Sequence, residues 1–516
     1  MNMQKRILVG IDLGTTTLKA VFLDASQSKI VTTQVREIFP AKVENTDHIE
    51  YDPLDWWNGT IELLKRGFEN GVKREEIAGI CFSGWTVKCL YVDDQGNPLG
   101  RAIHYNDMRH LAATRELEEL IGKECVEKNG NYMGIYNGFG KLYWFKKNQP
   151  ELFAKAAHVM TEAAWMVYKL TGIWGWNRTE AAFYAPYNAS TREWDDDLLQ
   201  KTGFPKKLFP KLFDASEVVG KVTAEAAKLT GLLEGTPVIA GADDASPVAL
   251  TTGVVKSGQC FLSVGSGANI AANTDKPVSH PTILTYPHCI PGLTMAITVL
   301  SSTGLSNKWM RNNLCQAEAA VGSITGDDPY FYMGKAAETS KPGSGGVIFL
   351  PYLDGDYTPN NDPNARGCFI GIGTATTKAD LLRAVLEGVA FSILDNINLI
   401  RELGGGLSEI VLAGGIAKSK LWLQIISDVT NCNISLPEET EGTAFGDALL
   451  AGFGVGIYDS IEQAVEKTVR IRKNVCVPDT KNHTLYKQIY EIYKALYPAL
   501  QPTYQKLGEL REKKIL

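Results

Sequence analysis

The run from Leu8 to Asp24, LVGIDLGTTTLKAVFLD, constrains this chain more tightly than any other segment. Apolar residues, several of them β-branched, flank a short polar turn: Ile7, Leu8, Val9 and Ile11 precede it, and Leu18, Ala20, Val21, Phe22 and Leu23 follow it. That pattern predicts a β-hairpin. A Walker loop needs G-x-x-x-x-G-K-[ST] running into a helix, whereas the residues after Thr17 alternate as a strand. Gly10 and Gly14 permit close approach of backbone N–H groups to an anion, and the threonines 15–17 add hydroxyl donors. Asp12 falls at the tip of the first strand, where a carboxylate can hold Mg²⁺, directly or through water, against phosphates. The segment reads as a nucleotide phosphate clamp. By itself it also fits an ordinary glycine-containing turn with a buried Asp.

A chain of 516 residues exceeds the usual single-core limit, so two large domains are expected. Apolar content of 44% and charged content of 21% are those of a globular protein, and no run approaches eighteen continuous apolar residues. A membrane span is therefore not expected. The N-terminus MNMQKRILVGIDLG has basic residues before an apolar stretch, but Asp12 interrupts it and no clean small-residue cleavage site follows. It reads as the first strand of the fold. The 52 Lys and Arg against 58 Asp and Glu leave a net charge of −6 without a sustained basic run, which excludes a nucleic-acid partner and favours a small substrate. Nine scattered Cys without C-x-x-C spacing read as reduced thiols in a cytoplasmic protein. The seven His also lack ligand spacing, so no zinc-type site is expected.

Residues 1 to about 110 alternate strand and helix patterns: the hairpin, a strand near Ile30–Ile38, a helix over Pro53–Asn70, then strands at Ile77–Ser83 and Cys89–Val92. From about Ala112 to Gly172 the periodicity is mainly helical. Strand character returns after Gly235. There a second small-residue turn, Gly265-Ser266-Gly267, lies between strands Cys260–Val264 and Ala268–Ala272 and echoes the opening hairpin, as an internal duplication would. Leu381–Leu399 is an apolar helix. A strand at Glu409–Leu412 ends in Ala413-Gly414-Gly415-Ile416-Ala417-Lys418-Ser419 before a helix over Lys420–Thr430, an arrangement suited to a nucleotide base or phosphate. Tyr486, Tyr490, Tyr493 and Tyr497 form one face of a C-terminal helix, which reads as core packing.

Together these pieces resemble the FGGY family of carbohydrate kinases over nearly the whole chain. The stretch GCFIGIGTATTKADLLRAVLEG follows the family's C-terminal signature through Gly367, Phe369, Gly371-Ile372, Asp380-Leu381 and Ala384-Val385-Leu386-Glu387. Upstream, FLPYLDGDYTPNNDPNARG is most similar to the xylulose kinase branch. The N-terminal signature is present as Lys141-Leu142-Tyr143-Trp144-Phe145-Lys146-Lys147-Asn148, with Gly138 where the family usually has Pro, Ser or Thr.

The resemblance implies an α/β, two-domain, actin-like (ribonuclease H-like) ATPase fold with a nucleotide and sugar cleft between the domains, here 1–252 and 253–516. It implies ATP and Mg²⁺ as cofactors, a small sugar as partner, no nucleic acid and no membrane, and it leaves a homodimer open. Counting back without a gap from Ala249-Leu250 and Gly253 places the family's catalytic base at Asp244; a shift by one residue gives Asp243. A carboxylate that accepts the sugar hydroxyl's proton is worth about 10² to 10⁴ in rate. Either Asp also fits a helix N-cap, so that one caps while the other catalyses. By the same resemblance Asp12 belongs to the Mg²⁺ site, and Gly14, Thr15, Thr16 and Lys19 to the phosphate hairpin. Gly265, Ser266 and Gly267 form its counterpart, and Gly414, Gly415 and Lys418 bind adenosine.

Xylulose kinases carry Gln-Met-His after the strand ending at Ser83, whereas this chain has Trp85-Thr86-Val87 followed by Lys88. A sugar hydrogen bond is lost at Val87, and Trp85 and Thr86 become substrate candidates, Trp85 through an apolar face for sugar C–H groups. The family's W-x-D-x-R stretch is Tyr105-Asn106-Asp107-Met108-Arg109, in which Asp107 accepts from sugar hydroxyls and Arg109 orients it, unless the two form an ordinary salt bridge. The expected activity is phosphorylation of a terminal hydroxyl of a small sugar, D-xylulose first. Other ketoses or polyols (ribulose, fuculose, erythritol or glycerol type) and a non-catalytic, nucleotide-switched member of the superfamily are the alternatives.

Overall fold

A computed structural model describes residues 5–44, 46, 48–104, 107–402, 407–439, 441–513 and 515. The chain divides into two compact α/β units. The first contains residues 1–255, 273–296 and 441–470; the second contains 256–272, 297–440 and 471–516. Among the described residues no helix is long and apolar enough to cross a membrane.

The first unit is organised on a sheet whose strands are β1 (Ile7–Leu13), β2 (Thr17–Asp24), β3 (Lys29–Glu37), β4 (Ile77–Gly84), β5 (Val218–Lys221), β6 (Pro237–Ile239) and the short β7 (Ala242–Asp243). Their order is β5-β6-β4-β1-β2-β3, with β7 also paired to β4. The hairpin register sets Asp12 opposite Lys19. β1, β4 and β7 run parallel, with Asp12 beside Ser83 and Ala242 beside Ser83 in turn. The carboxyl ends of these strands therefore lie together, the usual location of ligand sites in open α/β sheets. β1 and β4 are almost wholly buried, as expected of central strands covered on both faces.

Helix Pro53–Glu69 starts where Asp52 caps it, its side chain accepting from the Leu54 N–H, and proline occupies its first turn. The region 112–172 is mainly helical, as expected, with one strand inside it. His158–Thr161 is a strand paired antiparallel with Cys89–Val92, set directly before helix Glu162–Thr171. Four residues are too few to register against the surrounding helical periodicity. Ala245–Thr251, in the stretch read as strand-like after Gly235, is a short helix.

In the second unit β8 (Cys260–Val264), β9 (Ala268–Thr274), β10 (Glu409–Gly414), β11 (Asn433–Pro437) and β12 (Ile471–Cys476) form the run β9-β8-β10-β11-β12 of a seven-stranded sheet. The helices Lys378–Glu402 and Lys420–Thr430 contribute much of its core. The tyrosine face of helix Thr480–Glu512 packs into that core, with Tyr486, Tyr490 and Tyr493 buried. Its hydroxyls also meet buried acceptors: Tyr486 donates to Glu387 at 2.7 Å, Tyr490 donates to Asp395, and Tyr497 donates to Asp362 at 2.9 Å.

Beside this cluster burial pushes the Asp356 carboxyl up to about 7, with Asp395 and Asp362 adding to the shift and hydrogen bonds from Asn360 opposing it. A carboxyl that holds its proton more tightly in the folded chain than in the unfolded one stabilises fully below the unfolded value, and that contribution is lost as pH rises through the folded one. The unfolding midpoint is expected to fall between pH 4 and 7 in a part that Asp356→Asn removes, read by thermal melts of both proteins across that range.

Candidate functional site

The turn between β1 and β2 is tight at Gly14, where a Cβ would stand 2.6 Å from the Thr17 carbonyl oxygen. Its carbonyls are held by the surrounding fold: the Tyr51 hydroxyl donates to Thr15 O at 2.9 Å and the Ile38 N–H to Thr16 O at 2.9 Å. Thr16 itself is exposed and Gly14 and Thr15 are half-buried, so the turn presents an accessible edge. Lys19 forms a half-exposed ion pair with Glu441 at 3.2 Å. Gly10 has a different role from the anion approach expected of it. A Cβ there would lie 2.0 Å from Ala444 O and 2.4 Å from Ala448 N, so its absence lets helix Thr443–Gly454 lie directly on β1.

The two neighbouring aspartates have separate environments. Asp243 is buried and occupied: its carboxylate accepts from the Ala245 N–H at 3.0 Å, the Ser246 N–H at 3.1 Å and the Ser246 hydroxyl at 2.5 Å. Tyr286 adds a further hydrogen bond to it. Asp243 thus satisfies the first free N–H groups of helix Ala245–Thr251, as an N-cap does. Asp244 is half-buried, and no hydrogen bond to its carboxylate is found among the described residues. Burial, and then the Asp243 and Asp12 carboxylates, push the Asp244 carboxyl well above the ordinary range, against the pull of Lys88. Asp12 is half-buried as well. Burial raises its carboxyl to about 6, with the Lys88 and Lys19 ammonium groups working in the opposite direction. Two carboxylates without protein donors among the described residues and a buried lysine therefore share one field at the carboxyl ends of β1, β4 and β7.

Trp85–Lys88 is the turn between β4 and strand Cys89–Val92, closed by the Lys88 N–H donating to Trp85 O at 3.1 Å. Trp85 is half-buried; Thr86 is buried and its carbonyl accepts from the Tyr184 hydroxyl at 2.7 Å. Val87 is buried beneath the turn, where Lys141 donates to its carbonyl at 3.3 Å. Asp107 is 1% exposed. One of its oxygens accepts from Arg109 N and Nε, and the other from Ile49 N and Arg109 Nη2. Those four donors fill the roughly four lone-pair directions of a carboxylate, leaving none for a sugar hydroxyl. Arg109 is in turn bound by Glu50 at 2.7 Å and lies over the Trp144 ring. The pair braces this segment. Tyr105 and Asn106 lie outside the described residues.

The second unit gathers the other predicted group. A cavity of about 750 Å³ is lined by Gly265, Ser266, Gly415 and Lys418 together with Lys308, Tyr330 and Trp422. Gly267 and Gly414 do not line it; they let backbones meet behind it. A Cβ at Gly267 would lie 2.7 Å from Leu300 O, and one at Gly414, whose φ is +103°, would lie 2.1 Å from Val264 O. Gly415 faces open space, with nothing within 4 Å of a Cβ. Helix Lys420–Thr430 begins at this cavity, capped by Ser419. Glycines, a helix N-terminus and lysines beside aromatic rings suit a phosphorylated, planar ligand.

Several supporting residues left no mark in the sequence pattern. Lys88 and Glu162 form an ion pair of 3.0 Å with both side chains fully buried, and burial raises Glu162 to about 7 against the effect of Lys88. Thr179 accepts from the Asp243 N–H at 2.7 Å, and the buried Glu180 accepts from Thr161 and Asn177. Ser83 donates to the buried Asp447 at 2.6 Å. Only Asn177 and Glu180, three apart at the start of a short helix, carry a local spacing signal; the other partners come from distant parts of the chain.

The model of the N-terminal domain of the FGGY family of carbohydrate kinases matches residues 7–251, and that of the C-terminal domain matches residues 260–455. A xylulose kinase of Staphylococcus epidermidis is 32% identical over 500 residues, covering 96% of this chain and 97% of that protein. The autoinducer-2 kinase of Escherichia coli is 27% identical over 504 residues, covering 96% and 94%. The crystal structure of xylulose kinase from Rhodospirillum rubrum superposes with a TM-score of 0.89 at 26% identity, covering 97% of this chain and 100% of that one.

Proposed function

Because the chain belongs to the FGGY family of carbohydrate kinases and is therefore an ATP-dependent sugar phosphotransferase, we propose that it phosphorylates a terminal hydroxyl of a pentulose, D-xylulose first, with Asp244 as the general base. The observation that carries the assignment is the division of labour between the two aspartates. Asp243 is consumed by the cap of helix Ala245–Thr251, while the Asp244 carboxylate has no protein donor among the described residues and is available to a substrate proton. In the reaction the sugar hydroxyl oxygen forms a bond to the γ-phosphorus as the bond from that phosphorus to the ADP oxygen breaks. Asp244 accepts the hydroxyl proton. Backbone N–H groups of the β1–β2 turn hold phosphate oxygens, and the cavity at Gly415 and Lys418 receives the adenosine.

Asp12 fits a magnesium ligand: its half-buried carboxylate has no hydrogen bond from protein among the described residues and lies within the field of Asp244. Among the described residues there is no cluster of three or more metal-ligating side chains, as suits an ion held by one or two carboxylates and the substrate's own phosphates. Magnesium held there would neutralise phosphate charge as it shifts toward ADP.

The choice of D-xylulose rests on the relatives. Val87, where the sugar hydrogen bond of xylulose kinases is lost, is buried, and the saturated Asp107 offers no free acceptor at a position expected to touch the sugar; the autoinducer-2 kinase match makes that signal the second substrate to try. Coupled ADP release over pentuloses, hexuloses, polyols and autoinducer-2 tests the reading. We expect D-xylulose to give the highest kcat/KM. Absence of acceptor-dependent ADP release would sink the kinase proposal, and a higher value for another acceptor would replace the pentulose.

A further inference from the structure

Lys88 is fully buried, and its ammonium is not used by any step above. It lies near the rings of Tyr51 and Trp56, at 5.3 and 5.7 Å from their centroids. It donates to Leu13 O at 2.8 Å and reaches Gly14 O at 3.4 Å, and it pairs with Glu162 Oε1 at 3.0 Å. Those three oxygens match the three donors of an ammonium group. Two of them belong to consecutive peptides at the start of the β1–β2 turn. Glu162 reaches the lysine across Gly84, where a Cβ would stand 2.6 Å from its Oε1.

A trans peptide holds its N–H opposite its C=O. With the Leu13 and Gly14 carbonyls drawn back onto Lys88, the N–H groups of Gly14 and Thr15 point away from the buried lysine, toward the accessible edge of the turn. Orienting those dipoles before a ligand arrives removes a reorganisation cost from binding. The lysine's own backbone closes the Trp85–Lys88 turn, so the same residue ties the turn bearing the sugar candidates to the turn bearing the phosphate donors.

We propose that Lys88 is a positioning residue that presets the β1–β2 turn for nucleotide phosphates by holding the Leu13 and Gly14 carbonyl oxygens, with Glu162 balancing its charge. This rests on the kinase reading. A lysine whose purpose is only to neutralise Glu162 would become dispensable once both charges are removed; a positioning lysine would not.

The test is the double variant Lys88→Met/Glu162→Leu, since replacing a buried ion pair with apolar side chains of similar volume usually preserves the fold. Calorimetry measures the Kd of wild type and variant for Mg²⁺·AMP-PNP and for adenosine, which lacks phosphates. We expect the variant to bind Mg²⁺·AMP-PNP at least threefold more weakly, with about tenfold the central expectation, while its adenosine affinity stays within threefold of wild type. KM for ATP rises with that Kd while KM for the sugar stays within threefold. Loss of less than threefold in AMP-PNP affinity overturns the proposal, and so does an equal loss for adenosine, which would mark a general loosening. If the apolar pair does not fold, Lys88→Gln/Glu162→Gln, whose shorter amide cannot span both carbonyls, is judged by the same thresholds. Wild type that releases no ADP with any acceptor counts against the kinase reading, while the two affinities still decide the role of Lys88.

Discussion

Asp244→Asn is expected to lower kcat by about 10² to 10⁴, the range that a positioned proton acceptor supplies, while leaving the thermal midpoint and the affinity for Mg²⁺·AMP-PNP near wild type. Among the described residues no hydrogen bond from the protein to this side chain is lost, so its removal acts chiefly on chemistry. Asp243→Ala is expected to behave in the opposite way. It deletes a buried acceptor of two helix N–H groups and the Ser246 hydroxyl. A lost cap costs about 0.5–2 kcal/mol and a buried unsatisfied hydroxyl about 1–3 kcal/mol, so its melting temperature drops. Wild-type turnover in Asp244→Asn, with activity abolished in a folded Asp243→Ala, would transfer the role of base to Asp243. In wild type the raised Asp244 carboxyl places the acid limb of kcat above the ordinary carboxylate range, with turnover increasing as the proton leaves. A pH–rate profile that is flat down to pH 4 would contradict this.

Gly10→Ala is expected to be strongly destabilising for a change of a single methyl group. The new carbon would stand 2.0 Å from Ala444 O and 2.4 Å from Ala448 N, both backbone atoms, so helix Thr443–Gly454 or β1 itself must move. Core overpacking typically costs about 1–3 kcal/mol and occasionally more; with two backbone obstacles and no flexible side chain to yield, about 4 kcal/mol is expected here. Such a loss lowers the melting temperature by roughly 6 °C for a unit of about three hundred residues, or gives insoluble protein. Gly415→Ala is the control. Nothing lies within 4 Å of its Cβ, so the melting temperature should hold while the new methyl enters the cavity beside Lys418. Equal melting temperatures for Gly10→Ala and wild type would mean that the helix is not seated on β1.

The two glycines show how far the sequence could be read. Alternation of apolar residues around a Gly-Thr turn located β1 and β2, while the register that sets Asp12 opposite Lys19 came only with the structure. That is a local pattern, and local patterns survive in one dimension. The reason for Gly10 lies in a helix far along the chain, and nothing near Gly10 announces it. The same holds for Lys88, whose acceptors come from β1 and from helix Glu162–Thr171. The neighbouring aspartates were legible as a pair. Only the direction of the helix N–H groups separates the capping carboxylate from the free one. Asp107 and Arg109 were legible as partners, yet the sequence could not reveal that Ile49 N–H takes the last acceptor position. The signatures that carried the family resemblance proved the most transferable, because they record whole segments rather than single contacts.

The seating of helix Thr443–Gly454 on β1 has a consequence for synthesis. The first unit draws on residues 441–470 as well as on its amino-terminal stretch, so it cannot be completed when its first 255 residues emerge from the ribosome. Until the ribosome has passed that late segment, the β1 face at Gly10 waits without its helix, an apolar strand surface exposed for the time needed to translate some two hundred further residues, roughly 10 to 40 seconds at ordinary elongation rates. Folding of this chain is to that extent post-translational at its amino-terminal end. Truncated products that stop before residue 441 should be natural clients of holdase chaperones.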